Sequence, residues 1–240
     1  MQIIHETGAE LLKALRAPEF ILPTVFFPLL FFSLFAIVLS SSQDNTMYLL
    51  ATYGIFAVMG PALFGFGVGV ANEKDRGWLE LKRALPVPGY SYVIAKTITT
   101  IIFASLALLP IYLVAGFVGD VQLPTRVWTV LFLVHLFSAI PFVMLGLAMG
   151  FKFTANGAIA ITNIVFFGLT ILGGLWFPVN AFPDAMQLFA KLTPSYHLAE
   201  ITLAVIGVQE KTIELTNVMA ILALTMIFMM LAIWSWKSSN

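Results

Sequence analysis

The chain has 240 residues, of which 60% are hydrophobic and only 10% charged, and its formal net charge is zero. That composition lies far from an ordinary soluble domain, offers no basic excess for a nucleic-acid partner, and leaves no room for a separate soluble unit beside a helical bundle. The absence of cysteine excludes disulfides, thiolate metal sites and cysteine nucleophiles.

Charge-free runs cover Phe20 to Gln43, Asn45 to Asn72, Thr97 to Gly119, Val127 to Phe151, Phe153 to Pro183 and Leu215 to Trp236. A helix rises about 1.5 Å per residue, so roughly 20 apolar residues cross a hydrocarbon core of about 30 Å. Each run suffices for one crossing. The expectation is an all-α, polytopic membrane protein forming a single domain over 1–240, with six transmembrane helices near 20–43, 49–71, 93–117, 127–151, 156–177 and 215–236.

Residues 1–19 precede the first span and read as an amphipathic helix: Ile4, Gly8, Leu11, Leu12 and Leu15 share one face while Glu6, Glu10 and Lys13 share another. Such a helix lies in the membrane interface or packs on the bundle, and Pro18 limits it. No basic n-region leads into a short apolar stretch and no small-residue cleavage site follows, so the first span reads as a retained anchor.

The connection after the second span, residues 73–86, is the most informative polar stretch. Trp78, Leu81 and Leu85 fall at i, i+3 and i+7, so a short helix would carry an apolar stripe flanked by both charge signs until Pro86 and Pro88 stop it. Basic residues alone would fix topology, but topology needs neither the tryptophan nor the acids. An aromatic anchor among mixed charges reads as a docking surface.

Farther along, Pro61, Pro110 and Pro141 sit inside spans as candidate kinks. The pairs Gly65/Gly69 and Gly146/Gly150 give the small-xxx-small spacing of close helix packing. His135 and Asn163 are the intramembrane polar side chains singled out, as functional groups or as interhelical hydrogen-bond partners. Residues 178–214 form an external region of short helices expected to re-enter the bundle mouth. Its first helix starts at Pro183-Asp184 with Ala185, Leu188, Phe189 and Leu192 at helical spacing, and Tyr196 to Val205 is too short for an ordinary crossing.

Nine of the twelve basic residues fall on the side of the termini and three opposite, while the acids divide evenly, so the positive-inside rule puts both termini in the cytoplasm. No G-x(4)-G-K-[ST], H-E-x-x-H or G-x-S-x-G pattern is present, and His197-Leu198-Ala199-Glu200 alone supplies no recognisable site.

Glu73, Gly77, Leu79-Glu80, Pro86 and Lys96 resemble the E-x(3)-G-x-L-E, Pro, Lys pattern of type-2 ATP-binding-cassette (ABC) transporter permeases, with Trp78 where that family often has Thr. Leu172 to Pro178, containing Gly174 and Pro178, then Pro183 and Pro194, resembles the family's fifth-span ending and short external helices. The resemblance implies that Glu73, Asp75, Arg76, Gly77, Trp78, Glu80, Leu81 and Arg83 form a coupling helix on a cytoplasmic ABC ATPase subunit. It also implies a second permease copy or paralogue, a bacterial or archaeal plasma membrane, and ATP and Mg held by the partner with no cofactor on this chain. Few buried charges and 22 phenylalanines fit export of a small amphiphilic or apolar compound (a drug, an antibiotic or a lipid-like molecule). Alternatives are a lipid-linked polysaccharide exporter, a secondary transporter, for which midplane ionisable groups and repeated halves are missing, and a membrane sensor.

Overall fold

A computed structural model describes residues 2–16, 18–39, 42–84, 89–208 and 212–238, and these are helical with short connections. In chain order they form α1 (Gln2–Leu15), α2 (Pro18–Phe32) running into a π-helical turn (Ser33–Val38), and α3 (Gln43–Leu63), which continues through a second π turn (Phe64–Val68) into α4 (Gly69–Asp75). Then come α5 (Trp78–Ala84), α6 (Gly89–Phe117), α7 (Thr125–Phe137), α8 (Ala139–Lys152), α9 (Ala155–Leu172), α10 (Asp184–Ala190), α11 (Pro194–Ile206) and α12 (Leu215–Ser238).

Among the described residues five helical stretches are long and apolar enough to cross a bilayer: Gln43–Asp75, Ser91–Phe117, Thr125–Lys152, Ala155–Leu172 and Leu215–Ser238. Thr24–Val38 is apolar but shorter. Length is sustained where prolines fall because the chain bends without breaking. Pro61 is followed by the π turn, α6 runs through Pro110, and Pro141 lies three residues after the step at Ser138 that separates α7 from α8. Ser138 compensates there by donating its hydroxyl to the His135 carbonyl at 2.5 Å. Other hydroxyls, including those of Thr97, Thr99, Thr170 and Thr202, donate to the carbonyl four residues back, which satisfies them where water is absent.

α3 occupies the centre, buried along nearly its whole length from Leu49 to Leu63, with α2, α6, α8, α9 and α11 around it and α12 outside α8. Its start is set by the Ser42 hydroxyl accepting from the Asn45 amide at 3.3 Å and by Asp44 in the first turn. Hydrocarbon tails are as apolar as leucine, so packing in a membrane rests on close backbone approach. Gly146 and Gly150 supply it. A Cβ at Gly150 would lie 2.6 Å from the Phe66 carbonyl oxygen, and one at Gly146 2.9 Å from the Phe66 Cβ.

Gly65 and Gly69 stand differently: the nearest atoms to a Cβ there are Thr100 Oγ1 at 3.8 Å and Lys96 Cε at 3.6 Å, so they border a cavity rather than a tight helix contact. Gly54 and Gly67, which the spacing rule passes over, make the closer approaches, to the His135 ring and to Thr162 Oγ1.

Tyr48 donates to the Gly174 carbonyl at 2.6 Å and Ser195 donates to the Leu169 carbonyl at 2.7 Å, tying the chain after α9 back to the bundle. Gly174 itself has φ +75°, which favours glycine. Pro178 leads into a short 3-10 turn, and Pro183 caps α10. Pro194 opens α11 behind Thr193, whose hydroxyl accepts from the Tyr196 amide at 3.3 Å. α11 packs on α3, α7 and α12, whereas α10 leaves Leu188 and Phe189 exposed. His135 is wholly buried and structural in its contacts: Nε2 donates to the Ala51 carbonyl at 2.9 Å, and the Tyr112 hydroxyl meets Nδ1 at 2.8 Å. Asn163 donates within its own helix, to Ile159.

Candidate functional site

At one end of the bundle α1, α4, α5, the α8–α9 connection and the end of α12 converge. Phe66, Val70 and Glu73 recur at i, i+4 and i+7, so the third of them points inward with the first two even though it is a carboxylate. Glu73 is 6% exposed and Lys96, from the first half of α6, is 5% exposed. Lys96 Nζ lies 2.8 Å from Glu73 Oε1 and 3.1 Å from Glu10 Oε2. Lys13 also pairs with Glu73, and the Tyr92 hydroxyl donates to the same carboxylate.

This hub revises the role that the sequence assigns to Glu73. The residue is no outward contact; it is the internal anchor by which α3–α4 holds α6 and α1. In α1, Glu10 and Lys13 bind the bundle, while Ile4, Leu12 and Leu15 are exposed.

The neighbouring residues Lys74 and Asp75 fix the other flank. Lys74 Nζ donates to the carbonyls of Phe151 and Phe153, each at 2.8 Å, where α8 leaves its last carbonyls unpaired, and the Ala155 amide donates to Asp75 Oδ2 at 2.7 Å at the start of α9. Thr154 adds a weaker cap on Gly157 at 3.4 Å. The chain then turns at Arg76 and Gly77, whose φ of +73° closes α4, and α5 begins.

On α5 Leu79 is buried, while Trp78 is 53% and Leu81 55% exposed. Asp75, Arg76 and Glu80 are exposed around them. Two large apolar side chains thus stand in a ring of mixed charge, on a helix whose preceding segment is bonded to α1, α6, α8 and α9. The Arg83 side chain, Leu85, Pro86 and Pro88 lie outside the described residues.

Beside the hub a cavity of about 490 Å³ runs between α1, α3–α4, α6 and Ile159 of α9. Its lining passes from Glu10, Lys13, Asn72 and Lys96 through Val68, Thr99 and Thr100 to Pro61, Phe64 and Phe103.

Comparison with known proteins gives these features a setting. Residues 1–207 match the family described as "ABC-2 type transporter". The chain belongs to that family. It is also similar to a protein of Bacillus subtilis (strain 168) named "Putative transport permease YvfS", with 28% identity over 228 residues, 93% of this chain and 92% of the relative. An ABC-2 permease is a membrane transport subunit rather than an ATPase, and the family implies partnership with an ABC ATPase.

Proposed function

We propose that this chain is the permease subunit of an ATP-driven exporter for an amphiphilic or apolar compound, and that α5 is the helix on which a separate ABC ATPase docks. The observation that carries the reading is the exposed Trp78 and Leu81 beside Asp75, Arg76 and Glu80, on an element whose preceding segment is fastened to four others. Docked there, an ATP-bound motor would favour one arrangement of α4–α5 and so bias the bundle, which requires a differential free energy between the two states. ATP and Mg would be held by the partner.

In this reading α2 crosses as well, giving six spans with both termini in the cytoplasm of a bacterial or archaeal cell, and α10 and α11 fold back at the outer mouth. Two permeases would assemble with two motors. The basic residues near α1, α4, α5 and α12 support that orientation.

The test is purification of the chain from its native membrane in mild detergent, with its ABC ATPase identified and reconstituted. Trp78→Ala is expected to weaken motor binding by about 2 kcal/mol, roughly 30-fold, as for an aromatic interface anchor. Insertion should be unchanged. Motor binding and transport at wild-type levels in the variant would remove α5 as the docking helix.

A further inference from the structure

The cavity beside the hub is a slot with an ordered lining. On α3–α4 it runs from Asn72 through Gly69, Val68 and Gly65 to Pro61, and on α6 from Lys96 through Thr99 and Thr100 to Phe103. Eleven residues separate Pro61 from Asn72, so the slot is about 16 Å long by helical rise. A volume near 490 Å³ falls in the range that holds small ligands. Nor does helix packing account for its two glycines, since a Cβ at Gly65 or Gly69 would meet nothing nearer than 3.6 Å. They keep the slot open.

Its polar end divides into two kinds of group. The charges neutralise one another: Lys96 lies between Glu10 and Glu73, and Lys13 pairs with Glu73. The neutral groups do not. Neither the Asn72 amide nor the Thr100 hydroxyl has a side-chain hydrogen bond among the described residues, although Thr100 is 5% exposed and its neighbour Thr99 donates to Ala95. An ionic head group would bring an unbalanced charge beside a saturated hub, at a desolvation cost that nothing present offsets. An uncharged head rich in hydroxyl or amide groups would instead meet two unused partners, with an apolar tail lying toward Phe64, Pro61 and Phe103.

We infer that this slot binds one amphiphile with an uncharged, hydrogen-bonding head group, its head against Asn72 and Thr100. The site takes a neutral membrane lipid or a soluble compound of the same chemistry, and binding there does not depend on whether that compound is exported.

The cysteine-free sequence makes the test direct. Val68→Cys places one thiol in the slot wall, and its alkylation rate is followed in phosphatidylcholine nanodiscs with 1-decanoylglycerol, decyl sulfate or decyltrimethylammonium. Decanoylglycerol is expected to slow alkylation by at least about tenfold, a saturable effect of roughly 1.4 kcal/mol, and the two charged amphiphiles to leave it unchanged. Gly65→Leu, which fills the slot, should abolish protection. Thr100→Val, which keeps the volume and removes the hydroxyl, should weaken it and covers the case in which the leucine variant fails to fold. Native mass spectrometry separates the sources: a neutral lipid retained by the wild type and lost in Gly65→Leu identifies the membrane, and protection only on adding decanoylglycerol identifies a soluble compound. Equal protection by the charged amphiphiles, or neither retained lipid nor protection, overturns the proposal.

Discussion

Lys96 and Lys13 touch the same carboxylate but differ in what surrounds them. The Lys96 side chain is 6% exposed and that of Lys13 is 56% exposed. Removing the buried cation takes away the ion pair that Glu73 and Glu10 share, so Lys96→Met is expected to cost about 3–5 kcal/mol. Lys13→Met should cost less than about 1 kcal/mol, because water screens that pair. Unfolding free energies in mixed micelles check the contrast, and equal losses would mean that the hub is not one buried unit. Glycines divide by the same logic. A Cβ at Gly54 would stand 2.2 Å from the His135 ring, which its bonds to Ala51 and Tyr112 hold in place, so Gly54→Ala should destabilise by about 1–3 kcal/mol. Gly65→Ala should stay within about 0.5 kcal/mol in the same assay. The sequence marks Gly65 and Gly69 because spacing shows which residues share a helix face, but not which neighbour that face meets. The resemblance puts Glu73 in the coupling set, while its phase with Phe66 and Val70, visible in the sequence, points inward.

Helix α4, which leads into α5, is bonded on both flanks. Asp75 is exposed yet caps the first amide of α9, and Lys74 covers the last carbonyls of α8, so α4 is tied to both helices by short polar contacts. Asp75→Ala removes the carboxylate cap and leaves Thr154 alone to hold the first turn of α9, a loss of about 0.5–2 kcal/mol. Faster amide hydrogen exchange at Ala155 to Ala158 is therefore expected, with exchange in the buried middle of α3 unchanged; no change at Ala155 would mean that the cap is idle. At this scale the sequence shows much. The apolar positions of Trp78 and Leu81 and the start of α10 after Pro183 follow from local chemistry. Less legible are the π turn after Pro61 and the binding of Lys74 to the α8–α9 connection. The first depends on how the bundle accommodates an extra residue per turn, and the second joins residues more than seventy positions apart.

For the whole molecule the deciding element is α2, since its crossing sets whether the spans number six and whether α1 shares a side with α12. Its 15 residues and the six of the π turn that follows reach about 30 Å, just the hydrocarbon thickness. α1 joins Glu73 and Lys96, while Trp236 near the end of α12 meets Phe151 edge to face with ring centroids 4.8 Å apart, placing both with the Lys74 cluster at one end of the bundle. Gln43, past α2, donates to the Asp120 carbonyl at 2.7 Å beyond the far end of α6. Because the chain lacks cysteine, single substitutions read this arrangement without background. In sealed right-side-out vesicles Asp44→Cys and Gln122→Cys should react with an impermeant maleimide, whereas Gly8→Cys and Ser238→Cys should react only after permeabilisation. Labelling of Gly8→Cys and Ser238→Cys from outside, with Asp44→Cys and Gln122→Cys reacting only after permeabilisation, would place the basic end outward. Labelling of Asp44→Cys together with Gly8→Cys on one side would show that α2 does not cross, and would leave the α1 hub joined to the bundle from a face that the basic-residue count alone cannot supply.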